Sequence, residues 1–132
     1  MLERFFKRKP NPPPLRGAPA VRRQKTYSAQ TGFVYQYFYE GYREERAGNE
    51  YVFQVSSDRK SSFPLTVFLP GAAVDAWQSG HGRALSSTEQ YAAVKMALFE
   101  VFDERADLGP ANAEVEIAPA DIERLLATLE IE

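Results

Sequence analysis

Lys95 is the residue whose type and position come closest to predicting chemistry. In the segment QYAAVKMALFEVFDER it falls, at helical spacing, within an apolar stripe between Tyr91, Phe99 and Phe102. A lysine buried among aromatic rings can have a lowered pKa and act as a Schiff-base or general-base residue. The structural alternative is that its stem packs on the rings while the ammonium group reaches a carboxylate or water.

Other groups suited to catalysis or metal binding are sparse. His81 is the single histidine and lies in the glycine-flanked segment SGHGR, and the chain has no cysteine. These counts exclude a histidine-rich metal site, a zinc-thiolate site and a cysteine nucleophile. No carboxylate is visibly paired with a nucleophile. We therefore expect no enzyme activity, no metal and no cofactor.

The most distinctive stretch is GFVYQYFYEGYR, residues 32–43, which carries six aromatic rings. Its period-two pattern predicts a strand with Phe33, Tyr35, Tyr37 and Tyr39 on one face. That face could be the wall of a core or a protein interface. It could also stay open and stack bases or sugar rings, as aromatic sheets do in single-stranded nucleic-acid binders. Acidic neighbours such as Glu40 disfavour the nucleic-acid alternative.

Two more strands follow from the same pattern. The turn residues RAGN precede the alternating segment EYVFQVSS, which predicts a hairpin. After a polar turn, the segment FPLTVFLP predicts a third strand, and the alternating segment AEVEIAP a fourth. The strands should form an antiparallel meander of three, with the fourth as a further candidate.

Two or three helices are predicted to pack on this sheet. The first follows Pro70 and contains Val74 and Trp77 at i and i+3, before the break SGHG. The second begins with a capping box formed by Ser86 and Glu89. The third covers PADIERLLATL. The order of elements predicts a small two-layer α+β domain.

Charge divides the chain into two parts. Residues 1–25 carry eight lysines and arginines against one glutamate, a net charge of +7, whereas residues 26–132 carry −9. With five prolines in KRKPNPPPLRGAP, residues 1–25 predict a flexible basic tail with a polyproline II bias. We expect residues 26–132 to form one domain. No signal peptide or membrane-spanning run is visible, so a cytoplasmic location is expected.

The partner predictions follow from this division. The leading hypothesis is a non-enzymatic protein-interaction module, with the tail as a second contact. The alternative is a nucleic-acid-associated protein anchored by the tail, and an anionic membrane surface is a weaker candidate. Because tyrosine and tryptophan are enriched at interface hot spots, the predicted contacts of the domain are Tyr35, Tyr37, Tyr39, Tyr42 and Trp77. The predicted contacts of the tail are Arg4, Phe5, Phe6, Lys7, Arg8 and Lys9.

Overall fold

A five-stranded mixed sheet forms one layer of the protein. The structure is a computed structural model that describes residues 13–132. The strands lie side by side in chain order, antiparallel except for the last pair, which is parallel. They are β1 (Lys25–Ser28), β2 (Val34–Glu45), β3 (Gly48–Ser56), β4 (Phe63–Pro70) and β5 (Glu114–Glu116).

The β2–β3 hairpin closes through Arg46 and Ala47. Both residues have positive φ, 47° and 59°, which is the conformation of the two-residue turns that match strand twist. A β-bulge shifts the register of this pair next to Gly41, whose φ is 124°. A Cβ atom on Gly41 would lie 2.6 Å from the carbonyl oxygen of Arg16. The bulge therefore requires glycine where the N-terminal segment crosses β2.

The second layer consists of three helices. They are α1 (Gly71–His81), α2 (Ser87–Glu104) and α3 (Pro119–Thr128). The predicted capping box is present, because Ser86 accepts from the Glu89 amide while the Glu89 carboxylate accepts from the Ser86 amide. Pro119 occupies the first turn of α3, where its missing N–H costs no helical hydrogen bond.

The core lies between the sheet and the three helices, and α2 covers the tyrosine face of β2. The Tyr35 ring stacks on the Phe102 ring with the two centroids 4.3 Å apart. Leu65 and Val67 of β4 continue the same apolar face of the sheet. The tyrosine ladder is therefore a core wall over most of its length, because helix α2 covers it.

The α+β class and the three helices are confirmed. The sheet has five strands instead of the predicted meander of three with a candidate fourth. The candidate fourth strand is present as β5, and it pairs in parallel with β4. The strand absent from the prediction is β1, which starts at Lys25, inside the segment expected to be tail.

Residues 13–24 run along β2. Arg16 and Tyr42 exchange backbone hydrogen bonds of 2.6 and 2.8 Å. The Arg43 guanidinium donates a 3.0 Å hydrogen bond to the carbonyl oxygen of Pro13. The described part of the basic segment is therefore in contact with the domain. Within residues 13–132, no helix has the combination of length and hydropathy that a bilayer crossing requires.

Candidate functional site

Three of the five predicted contact residues of the domain are buried. Tyr35, Tyr37 and Trp77 are 1%, 4% and 1% exposed. The first two lie under α2, and Trp77 lies in the core on the inner side of α1. Since a partner would have to open the fold to reach Tyr35 or Trp77, we do not carry these two forward. Tyr39 and Tyr42 are half-buried.

A cleft of about 400 Å³ lies where the N-terminal segment, β2 and α2 meet. We call it the cationic cleft. Among residues 13–132, three cations, three tyrosines and a short apolar stretch line it, and no carboxylate does. The lining residues are Pro19, Ala20, Val21, Arg23, Lys25, Tyr37, Tyr39, Tyr91 and Lys95.

Strand β1 positions the cations that come from the N-terminal segment. Lys25 pairs with Tyr37 in the β1–β2 register, so both side chains project from the helix-covered face. Arg23 lines the cleft two residues earlier. The Tyr27 ring stacks on the Phe99 ring of α2 at 4.5 Å between centroids. This contact holds the edge strand, and with it Lys25, against the helix.

Lys95 enters the cleft from α2 between aromatic rings. Its Nζ atom lies 5.4, 5.5 and 5.4 Å from the ring centres of Tyr37, Tyr91 and Phe99, distances typical of cation–π contacts. No carboxylate of residues 13–132 forms an ion pair with it. Burial, followed by the charge of Lys25, lowers the pKa of Lys95 below its ordinary value. Among the described residues, the ammonium group therefore has aromatic neighbours and no carboxylate partner.

The three tyrosines of the cleft are held in the protonated form. Burial raises the pKa of Tyr37 and Tyr39, and raises the pKa of Tyr91 to about 12. At neutral pH these phenols can donate hydrogen bonds but cannot act as bases. Hydroxyl donors and cations together make a site that favours an anion.

His81, on α1, does not line the cationic cleft and has other contacts. Its ring stacks on Trp77 with the centroids 4.0 Å apart, and its Nε2 lies 2.8 Å from the Glu123 carboxylate. These contacts link α1 to α3. Within residues 13–132, no cluster of three or more histidines and acidic residues could hold a metal ion.

The sequence pattern did not predict this cleft, but it drew attention to part of its lining. Lys95, Tyr37 and Tyr39 were singled out there, whereas Arg23 and Lys25 were assigned to the tail. The signal that could have placed the latter two is the alternation of Arg23, Lys25 and Tyr27, which matches an edge strand. The predicted tail contacts, Arg4, Phe5, Phe6, Lys7, Arg8 and Lys9, lie outside the described residues.

Comparison with protein-family models, with curated proteins and with solved structures found no match. The functional argument therefore starts from the geometry of the cleft.

Proposed function

We propose that this protein is a non-enzymatic, cytoplasmic interaction module that binds an acidic segment of another protein in the cationic cleft. The observation that carries the proposal is the lining of the cleft, with Arg23, Lys25 and Lys95 beside three tyrosines and no carboxylate. Arginine and tyrosine are the residue types that contribute most at protein interfaces.

The charge distribution favours a short acidic segment over a long polyanion. The positive charges of the cleft are confined to a small part of the surface, whereas residues 26–132 together carry a net charge of −9. Exposed carboxylates such as Glu44 on β2 and Glu104 on α2 contribute to this negative charge outside the cleft. A nucleic-acid strand that extended beyond the cleft would meet these like charges. A few carboxylates of a peptide would fit the cleft without meeting them.

Binding is favoured over catalysis because, among residues 13–132, no second base lies beside Lys95 in the cleft. Lys95 does border a concave site, which is one requirement of lysine chemistry. The tyrosines beside it, however, have raised pKa values and stay protonated at neutral pH. No carboxylate lines the cleft to take a proton. Anion recognition needs only the cations and hydroxyl donors that are present.

The nucleic-acid alternative rests on the basic tail, and it makes a different prediction. Tail-anchored binding should weaken steeply with salt and disappear when Arg4, Lys7, Arg8 and Lys9 are neutralised. Binding in the cleft should survive those changes in the tail. The tail as a second contact for the same partner protein is part of the proposal, and the tail variant measures its contribution.

A selection from a random peptide library tests the proposal. Peptides retained by the full chain should be enriched in aspartate and glutamate. The same selection against Lys95→Met and Arg23→Gln should lose that enrichment, because each variant removes a cation from the cleft. Arg46→Gln, which removes an exposed cation that does not line the cleft, is the matched control. Equal enrichment on the wild-type protein and the cleft variants would refute the proposal.

A further inference from the structure

The sheet face opposite the helices contains a second cleft, of about 270 Å³. We call it the glutamine cleft. Its floor is formed by side chains of β2 and β3, and its rim by the β3–β4 loop and the residues that precede β1. Its lining includes Gln36, Gln54, Phe38, Arg22, Arg59 and Lys60.

The floor presents hydrogen-bonding groups without partners. Gln36 is 5% exposed, yet neither its Oε1 nor its Nε2 has a partner among the described residues, and the same holds for Oε1 of Gln54. The two glutamines are diagonal neighbours on adjacent strands, because Phe38 pairs with Gln54 and Gln36 with Ser56. A buried amide without partners costs stability. The amide nitrogen of Gln36 can therefore donate a hydrogen bond, and the amide oxygens of Gln36 and Gln54 can accept hydrogen bonds, to and from a ligand edge that carries both acceptors and donors.

The Arg22 guanidinium group forms a flat, positively charged surface beside these amides. The Arg22 guanidinium carbon lies 3.8 Å above the centre of the Phe38 ring, and two 3.0 Å hydrogen bonds to Glu40 fix its orientation. The Arg22 side chain is 50% exposed, so it is not fully covered. A guanidinium plane held in this way is a stacking surface for a nucleobase.

The rim supplies cations on an ordered loop. The Asp58 carboxylate accepts hydrogen bonds from the amides of Lys60 and Ser61 at 2.8 and 3.0 Å, and these bonds lower the pKa of Asp58. Ser56 accepts from the Arg59 amide at 2.9 Å. The side chains of Arg59 and Lys60 are exposed, and neither forms an ion pair with a carboxylate of residues 13–132. They are available for a phosphate.

We propose that the glutamine cleft binds a nucleoside phosphate. The base edge bonds to the amides of Gln36 and Gln54, the base plane lies against Arg22, and the phosphate contacts Arg59 and Lys60. Carboxamides are suited to the paired donor and acceptor groups of a base edge. This site lies on the opposite face of the sheet from the cationic cleft, so it does not depend on the function proposed for that cleft.

The test is a calorimetric titration of the full chain with AMP, GMP, CMP and UMP, with inorganic phosphate and unphosphorylated nucleosides as references. A second arm uses single-stranded hexanucleotides. We expect saturable binding of at least one nucleotide. Gln36→Met should weaken it roughly 5- to 160-fold, because a good base contact contributes about 1–3 kcal/mol. The double variant Arg59→Ala, Lys60→Ala should weaken it as well.

Arg46→Ala is the matched control, because the Arg46 guanidinium lies over Phe68, 4.2 Å from the ring centre, and does not line the glutamine cleft. It should leave the affinity unchanged. Thermal unfolding of Gln36→Met provides the folding control, and we expect no loss of stability since the variant removes an unpaired amide. If that variant unfolds, the loop double variant decides.

The two arms distinguish the source of the ligand. Binding of mononucleotides indicates a free nucleotide. Binding of hexanucleotides alone, when lost in Gln36→Met, indicates a nucleotide within a strand. Three results would overturn the proposal: no binding in either arm, equal affinity for inorganic phosphate and nucleotides, or nucleotide affinity unaffected by both cleft variants.

Discussion

The Tyr27 hydroxyl donates a 2.7 Å hydrogen bond to Oδ2 of Asp103 and so joins strand β1 to helix α2. The second oxygen of the same carboxylate accepts from the Gln30 amide at 3.0 Å. One side chain therefore fixes both the edge strand and the turn that follows it. Because Lys25 lies on that strand, the Tyr27–Asp103 pair also maintains one wall of the cationic cleft.

The first prediction concerns this link. Asp103→Ala should lower the free energy of unfolding by about 1–2 kcal/mol, because it removes a charge-assisted hydrogen bond and leaves the Tyr27 hydroxyl unpaired. The neighbouring exposed Glu104→Ala should change stability by less than about 0.5 kcal/mol. Trp77, the only tryptophan of the chain, reports unfolding by its fluorescence. Equal stability of the two variants would show that the link is unimportant.

The second prediction concerns the bulge in β2. Gly41→Ala combines an unfavourable φ of 124° with a 2.6 Å approach to the Arg16 carbonyl oxygen. We expect a loss of roughly 1–3 kcal/mol, measured by denaturant unfolding. Gly80→Ala is the control of opposite sign, since nothing lies within 4 Å of a Cβ there. In helix α1 it should stabilise the protein by up to about 1 kcal/mol. A stable Gly41→Ala protein would contradict the described crossing.

The third prediction concerns the pH dependence of stability at Lys95. Burial lowers the pKa of Lys95 below its value of 10.5 in the unfolded chain. Between the folded and unfolded pKa values the unfolded chain binds more protons, so this residue makes the free energy of unfolding rise with pH. Lys95→Met lacks this contribution. The variant should gain stability relative to the wild type below that window, and the difference should shrink as the pH approaches 10.5.

Thermal unfolding of the two proteins across this pH range measures the difference. Tyrosines with raised pKa, such as Tyr91, titrate in both proteins and largely cancel. A wild-type protein more stable than Lys95→Met at every pH would mean that the cation–π contacts outweigh the cost of burial.

The fourth prediction tests for lysine chemistry directly. Incubation with pyruvate and sodium borohydride would trap an imine on a reactive amine, and mass spectrometry would locate it. We expect no preferential modification of Lys95 over exposed lysines such as Lys60, since no base lines the cleft beside it. Selective trapping at Lys95, abolished in Lys95→Arg, would contradict the non-enzymatic proposal.

Local patterns predicted the elements of this fold well. The Ser86–Glu89 capping box and the helix after Pro119 depend on neighbouring residues, and both are present. Strand β1 was missed because KTYS is short and follows a proline-rich stretch. It exists as a strand through its pairing with β2 and its contact with α2, neither of which is local.

The candidate sites depended more strongly on tertiary structure. The pattern marked Lys95 as unusual, but it could not bring Lys25 beside it without the β1–β2 register. The sequence predicts Tyr35 as a contact residue, but in the structure α2 covers the sheet face on which Tyr35 lies. The sequence pattern did not mark Gln36 and Gln54 as candidate site residues, because polar residues are common at alternate strand positions. Their significance comes from burial without partners.

The measurement closest to the central claim is a fluorescence-anisotropy titration of a labelled Glu-Leu-Glu-Leu-Glu-Leu peptide with the full chain. A labelled dT12 strand serves as the competing polyanion. The account predicts saturable peptide binding that falls roughly tenfold in Lys95→Met and stays unchanged in Arg46→Met. Absence of peptide binding, or equal peptide affinity of the wild type and Lys95→Met, would contradict the account. Salt-sensitive binding of dT12 that requires Arg4, Lys7, Arg8 and Lys9 would then favour the nucleic-acid alternative.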